Sequence, residues 1–174
     1  MKKYFTLLVL FLGVMAFSQI SFSQAEKSNR WTYGGNVGLG FGSNGYFNLQ
    51  LTPRVGYRVA DDLEMGLLGS LSLQTSKFYK STVVGVGPFA NYYIGRSLFI
   101  SGNFQQHFIN YTDKYSNQKL NRDESVLLLG GGYMQKVSEG SYFQVGLMYN
   151  VLWKENSSIY SSGLVPSVGF VVGL

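Results

Sequence analysis

His107 is the one imidazole in a chain of 174 residues, so acid–base chemistry near neutral pH has to start from it. A general base acts only on a nucleophile within hydrogen-bond reach. Along its own segment His107 shares a face with Asn103 and Gln105 and is followed by Phe108 and Ile109, so the local sequence sets no serine beside it. That company reads as an interior polar residue. Arg58 and Glu64 lie symmetrically about a tight turn at residues 60–62, which makes them cross-strand neighbours, with Arg54 further along the same face. Either the two charges pair, or both reach into the water at that end. The expectation is a structural polar cluster of Arg54, Arg58, Glu64, Asn103, Gln105 and His107. With no cysteine there is no disulfide, thiolate metal site, cysteine nucleophile or lipid-modified Cys. Paired carboxylates, a phosphate-cradling loop and metal-ligand spacing are also missing from the sequence, and Gly38-Leu39-Gly40 reads as strand packing. No catalytic residue, cofactor or metal is expected.

The elements that would position these residues follow a period of two, the spacing of a strand with two unlike faces. In the first, Trp31, Tyr33, Val37, Leu39 and Phe41 alternate with Thr32, Gly34, Asn36, Gly38 and Gly40. Ser43-Asn44-Gly45 holds the Asn-Gly pair that favours a reversal. The second strand sets Phe47, Leu49, Leu51, Val55, Tyr57 and Val59 against Asn48, Gln50, Thr52, Arg54, Gly56 and Arg58, with Pro53 expected to mark a bulge. A third alternates from Leu63 to Gln74, with Leu68 breaking its polar face. Residues 75–81 read as a polar loop, and 82–94 as a fourth strand with bulky apolar groups on both parities. After a turn at Gly95 and Arg96 the fifth strand covers 97–111. Residues 112–125 (TDKYSNQKLNRDES) read as the longest loop. The sixth strand, 126–137, contains Gly130-Gly131-Gly132, expected to weaken or bend it. The seventh alternates from Phe143 to Trp153, residues 154–162 form a last loop, and the eighth strand runs to Leu174.

Hydrophobic residues make up 45% and charged residues 13%, about half the usual share of charge, while Gly, Tyr and Phe are abundant. This suits one domain of short strands and tight turns. Lys2 and Lys3, the apolar run at residues 4–17 and the small residues Ser21, Ser23 and Ala25 form the three parts of a secretory leader. Residues 1–23 are therefore expected to be a signal peptide, cut before Gln24 or Glu26, with 24–30 a polar linker and 31–174 the folded part. Loss of Lys2 and Lys3 would lower the formal charge from +5 to +3, too small a surplus to argue for nucleic acid.

Eight strands joined alternately by short turns and longer loops describe an antiparallel up-and-down meander, which removes its edges by closing into a barrel. A water-soluble binding barrel puts apolar side chains inside, whereas a membrane barrel inverts that order. Arg54, Arg58 and Glu64 all lie on the polar parity, and Gly, Ser, Asn and Gln recur there. On the apolar parity, Trp31, Tyr33, Tyr57, Tyr133 and Phe143 lie toward one end, and Phe41, Phe47, Tyr149 and Trp153 toward the other, like the aromatic girdles of a bilayer. The fold expected is an all-β, eight-stranded antiparallel up-and-down transmembrane β-barrel.

The leader, the alternating meander and the terminal strand together resemble the small outer-membrane β-barrel domain family, of which the OmpA- and OmpX-type barrels are relatives. Gly169-Phe170-Val171-Val172-Gly173-Leu174 resembles the family's assembly signal, although it ends in Leu where an aromatic is commoner and has Val168 where a polar residue is usual. Val86-Gly87-Pro88-Phe89-Ala90-Asn91-Tyr92-Tyr93 resembles a segment of the same family. The resemblance implies an integral bacterial outer-membrane protein embedded in the lipid bilayer, with both termini periplasmic and the last strand engaging the outer-membrane assembly machinery. The function expected is non-enzymatic, with the outward loops, chiefly 112–125, touching something outside the cell or steadying the membrane. The alternatives are a narrow conduit or binding barrel for a small apolar molecule, helped by inward Leu68, Val126, Leu128 and Met148, a lipid-modifying enzyme, or a soluble periplasmic binding barrel.

Overall fold

The computed structural model describes residues 30–174 apart from 117, 156, 157, 159 and 161; the expected leader and residues 24–29 of the linker lie outside the described residues. Eight strands follow one another: β1 (Trp31–Gly42), β2 (Tyr46–Arg58), β3 (Leu63–Thr75), β4 (Tyr79–Ile94), β5 (Leu98–Asp113), β6 (Lys119–Ser138), β7 (Ser141–Asn150) and β8 (Leu164–Val172). Each pairs antiparallel with the next, and β8 returns to β1, so the sheet closes into a barrel. One end carries the short turns at 59–62, 95–97 and 139–140 together with both strand termini. The other carries 43–45, 76–78, 114–118 and 151–163 and is called the loop end below.

The reversals at 43–45, 95–97 and 139–140 use positive φ. Asn44 and Gly45 adopt φ of 59° and 66°, and Gly95 and Arg96 adopt 57° and 56°, the left-handed pair that a tight hairpin turn demands. The alternation then sorts side chains by face. Leu51, Val145 and Leu147 are exposed outside, while Gln144 is buried inside, and the same parity holds around the ring. In β4 the odd residues, including Val83, Phe89, Asn91 and Tyr93, are buried, while the even ones face out. Sequence could not decide this face because both parities are bulky; in the barrel, the register partners Gly66 of Phe89 and Gly85 of His107 make room for large inward side chains.

Several boundaries differ from the sequence reading. Residues 112–125 are mostly a two-stranded ribbon: β5 and β6 stay paired out to Thr112↔Lys119, leaving only a short turn. Polar strands need no apolar pattern once their backbones pair with each other. Likewise β4 starts at Tyr79, so the loop expected at 75–81 shrinks to 76–78. In contrast β7 stops at Asn150, because its side-chain Oδ1 accepts from Leu152 N (3.1 Å) and Leu127 N (3.4 Å) and turns the chain. Val151 and Trp153 therefore leave the strand, and Trp153 Nε1 donates to Tyr160 O at 3.0 Å instead of serving a girdle. β8 ends at Val172, since Gly173 takes φ of 94°.

Pro53 makes no bulge. Pairing of β2 with β3 resumes in the same register on both sides of it, from Leu51↔Leu71 to Arg54↔Leu68, with only the local rungs lost. A register shift occurs instead between Lys136 and Ser138 of β6. The triple glycine breaks nothing, as β6 continues through it.

Candidate functional site

Glu64 is the hub of the barrel interior. β3 turns it inward just above the turn at 59–62, where it is fully buried. Thr32 Oγ1 and Tyr93 OH donate short hydrogen bonds to its carboxylate, and Asn91 Nδ2 donates another at 2.9 Å. Arg54 adds the ion pair, with Nη2 3.8 Å from Glu64 Oε2. Four groups from β1, β2 and β4 thus satisfy one buried charge, which is what allows it to stay buried. Arg58 does face Glu64 in the register, yet the guanidinium that reaches the carboxylate is that of Arg54. With the carboxylate oxygens already taken up by β1 and β4, Arg58 ends half-buried toward the short-turn end, and its Nε has no hydrogen-bond partner.

Below this hub Tyr93, Phe99, Met134, Tyr142 and Val171 pack into an apolar plug, backed by Leu174. Sequence patterning had filled this interior with small and polar residues, and the plug is a correction. Phe99 sits opposite Gly132, which leaves room for its ring in the narrow bore.

Above the hub, Arg54 Nη2 donates to Gln144 Oε1 at 3.0 Å, and its guanidinium lies 5.2 Å from the centre of the Phe89 ring. Further toward the loop end, Gln105 Nε2 donates to Asn103 Oδ1 at 2.7 Å, and its Oε1 lies 2.9 Å from His107 Nε2. Ser70 Oγ, from β3, lies 3.3 Å from the same nitrogen. Sequence reasoning searched for a serine only near His107 in the chain and missed Ser70. The strand alternation and the barrel order would have found it, since both residues face inward on strands flanking β4. The contact joins Ser70 to the hydrogen-bond network of His107, Gln105 and Asn103.

The six expected residues thus fall into two groups. Arg54, Arg58 and Glu64 lie low in the barrel, and Asn103, Gln105 and His107 lie in its middle. Among the described residues, no cluster of three His, Asp or Glu side chains is placed to hold a metal ion.

The interior is not filled throughout. A cleft of about 430 Å³ at the loop end is bordered by Gln50, Ser70, His107 and Tyr160, and a smaller space of about 70 Å³ continues it down to Arg54, Gln144 and Phe99. Tyr160, from the loop after β7, leans over the cleft against the inward cluster of Val126, Leu128 and Met148. Its ring centre lies 6.4 Å from that of His107. Leu68 is also buried and borders the lower space.

The closed meander, its apolar outer face and its polar middle define the small eight-stranded up-and-down transmembrane β-barrel, the fold shared by outer-membrane barrels. The chain is similar to the N-terminal β-barrel domain of Pseudomonas aeruginosa OprF, with 14% identity over 84% of this chain and 98% of that one and a TM-score of 0.53. Neisserial surface protein A also matches, with 14% identity over 83% and 94% of the two chains and a TM-score of 0.47. No protein-family model matches the sequence, and no curated protein matches it either.

Proposed function

We propose that the chain is a non-enzymatic integral protein of the bacterial outer membrane that presents the β5–β6 ribbon to the outside. The observation that carries this is the outward face of the barrel. Val37, Leu67, Val86, Ile100, Leu129 and Leu147, from six different strands, are all exposed to whatever surrounds it. So much exposed apolar surface is stable in lipid and a liability in water. Arg54 and Glu64 point inward, which avoids the cost of about 2–4 kcal/mol for an Arg facing the middle of a bilayer.

The short turns go to the periplasm and the ribbon goes outward, the usual arrangement of such barrels. On that reading residues 1–23 are the export signal, and β8 is the strand handed to the assembly machinery. The ribbon tip offers a contact surface: Tyr115 is 80% exposed and stacks on exposed Phe78, with ring centres 6.1 Å apart, and Leu120 is also bare. The absence of catalysis is supported by the place of His107 in a buried hydrogen-bond network with Gln105 and Asn103. A through-going conduit is disfavoured by the apolar plug and the Glu64 hub beneath the cleft.

The test is direct. The full chain, expressed with its leader, should fractionate with outer membranes, resist carbonate extraction, and migrate faster on gels unheated than boiled. A protease site placed after Tyr115 should be cut on intact cells. Recovery in the soluble periplasm would refute the membrane reading, and a site cut only after lysis would refute the orientation.

A further inference from the structure

β1 and β8 close the barrel through four register pairs, from Tyr33↔Val172 to Asn36↔Gly169. The next shortest ladder, β7 with β8, has nine. Yet β1 continues to Gly42 and β8 begins back at Leu164, so on the loop side of Asn36 two strands run past each other unpaired. The contact spanning this gap is between side chains, Asn36 Nδ2 donating to Ser167 Oγ at 3.0 Å.

Pro166 helps to keep the seam open. Asn150 N donates to Gly163 O on the β7 side, so by the alternation of an antiparallel ladder the odd residues of β8 bond β7 and the even ones face β1. Pro166 thus removes the donor that would meet Leu39 across the seam.

The cleft reports the consequence. Val37 and Val168 belong to the outer face and are 54% and 43% exposed. Both nevertheless border the same space as the inward residues Gln50, Arg54 and Gln144. The cavity thus abuts both strands of the unpaired stretch, with the outward residues Val37 and Val168 bordering it at the seam.

Its floor has a definite chemistry. Arg54 Nε and Gln144 Nε2 are buried donors without an acceptor, and both residues border the floor. Gln144 is 4% exposed, and the Arg54 side chain 10%. Two inward guanidinium groups, Arg54 and Arg58, stand against the single carboxylate of Glu64, whose oxygens are already engaged. The floor is short of acceptors and of negative charge.

We propose that the unpaired part of the β1–β8 seam is a lateral entrance for an amphiphile with a carboxylate head and one apolar chain. The head meets Arg54 and Gln144, and the chain passes between Val37 and Val168 into the lipid. This rests on the bilayer reading above, since only a surrounding membrane supplies the chain with an apolar exit.

The test uses the full mature chain refolded into phosphatidylcholine bilayers, with palmitate as the probe and hexadecanol as the uncharged comparison. Because the protein has no cysteine, Val37→Cys with Val168→Cys creates one cross-link, across residues that would be partners if the seam were zipped. Oxidation should lower palmitate affinity by at least about tenfold, with recovery on reduction, and Arg54→Gln should weaken palmitate by about tenfold while leaving hexadecanol within about twofold. Palmitate binding indifferent to both the cross-link and Arg54→Gln would overturn the proposal, as would a wild-type protein that takes up no palmitate beyond what the lipid absorbs. Heat-modifiable migration of the same samples separates the two readings. An inserted chain that ignores palmitate defeats the entrance alone, whereas a chain that never inserts defeats both.

Discussion

The Arg54 guanidinium lies 3.8 Å from the Glu64 carboxylate, although strand register places Arg58, not Arg54, opposite Glu64. Position along the barrel decides which arginine wins: Arg54 points toward the packed middle, where Gln144 and the Phe89 ring hold it, while Arg58 lies nearer the open end. A double-mutant cycle for Arg54→Ala and Glu64→Ala should give a coupling of about 2–3 kcal/mol in denaturant unfolding from micelles, and the same cycle with Arg58→Ala about 0.5 or less. Glu64→Ala alone should be among the most damaging single changes, at about 3–5 kcal/mol, because it strands the Arg54 charge in the interior. Equal coupling for the two arginines would refute the assignment.

Gly85 tests the middle of the barrel. A Cβ there would lie 2.3 Å from both His107 Cδ2 and Ser70 Oγ, and the ring cannot retreat without leaving Gln105. Gly85→Ala should therefore destabilise by about 1–3 kcal/mol, the usual cost of overpacking. Gly69, on the neighbouring strand, meets nothing closer than 3.8 Å, so Gly69→Ala serves as the control and should cost much less. Comparable losses in the two variants would show that the His107 pocket is slack.

How much of this was legible in the sequence depends on the residue. Strand number and order follow from alternation and turn spacing, and the inversion of faces from the charged and small polar residues that share one parity, because one parity step moves a whole strand from lipid to interior. The facing of β4 was not legible, since Val83, Phe89 and Tyr93 are as bulky as their outward neighbours, and the room for Phe89 comes from Gly66 on a neighbouring strand. The ribbon at 112–125 was hidden for a different reason: its strands pair through backbone above the apolar belt, and alternation has nothing to sort there. Of the interior cluster, the composition was readable and the partnerships were not. Ser70 and His107, like Arg54 and Glu64, meet through inter-strand geometry that spacing within one segment cannot report.

His107 is 2% exposed, shares Nε2 between Gln105 and Ser70, and has no partner at Nδ1. A purely structural role predicts that His107→Ala loses about 1–3 kcal/mol of stability through the cavity and the broken hydrogen bonds. Mass spectrometry of lipids from cells overproducing wild type, His107→Ala and Ser70→Ala should give three matching profiles. A lipid species that appears with wild type and vanishes with both variants would reinstate a hydrolytic pair.

Tyr160 makes the loop at 151–163 sensitive to alkaline pH. Burial pushes its phenol up from 10.0 to about 12, with a hydrogen bond to Gln50 pulling the other way. A raised value means the docked loop holds the neutral phenol better than an undocked loop does. Docking is therefore fully stabilised below pH 10, weakens between about 10 and 12 as the undocked form begins to ionise, and gains nothing from acid. Trp153, tied to Tyr160 O at 3.0 Å, provides the signal. Its fluorescence, read against a Trp31→Phe background so that a single indole remains, should change across that interval. Tyr160→Phe removes the titrating group while keeping the ring, so its trace should stay flat over the same range. A transition unchanged in Tyr160→Phe would mean that some other group holds the loop over the cleft.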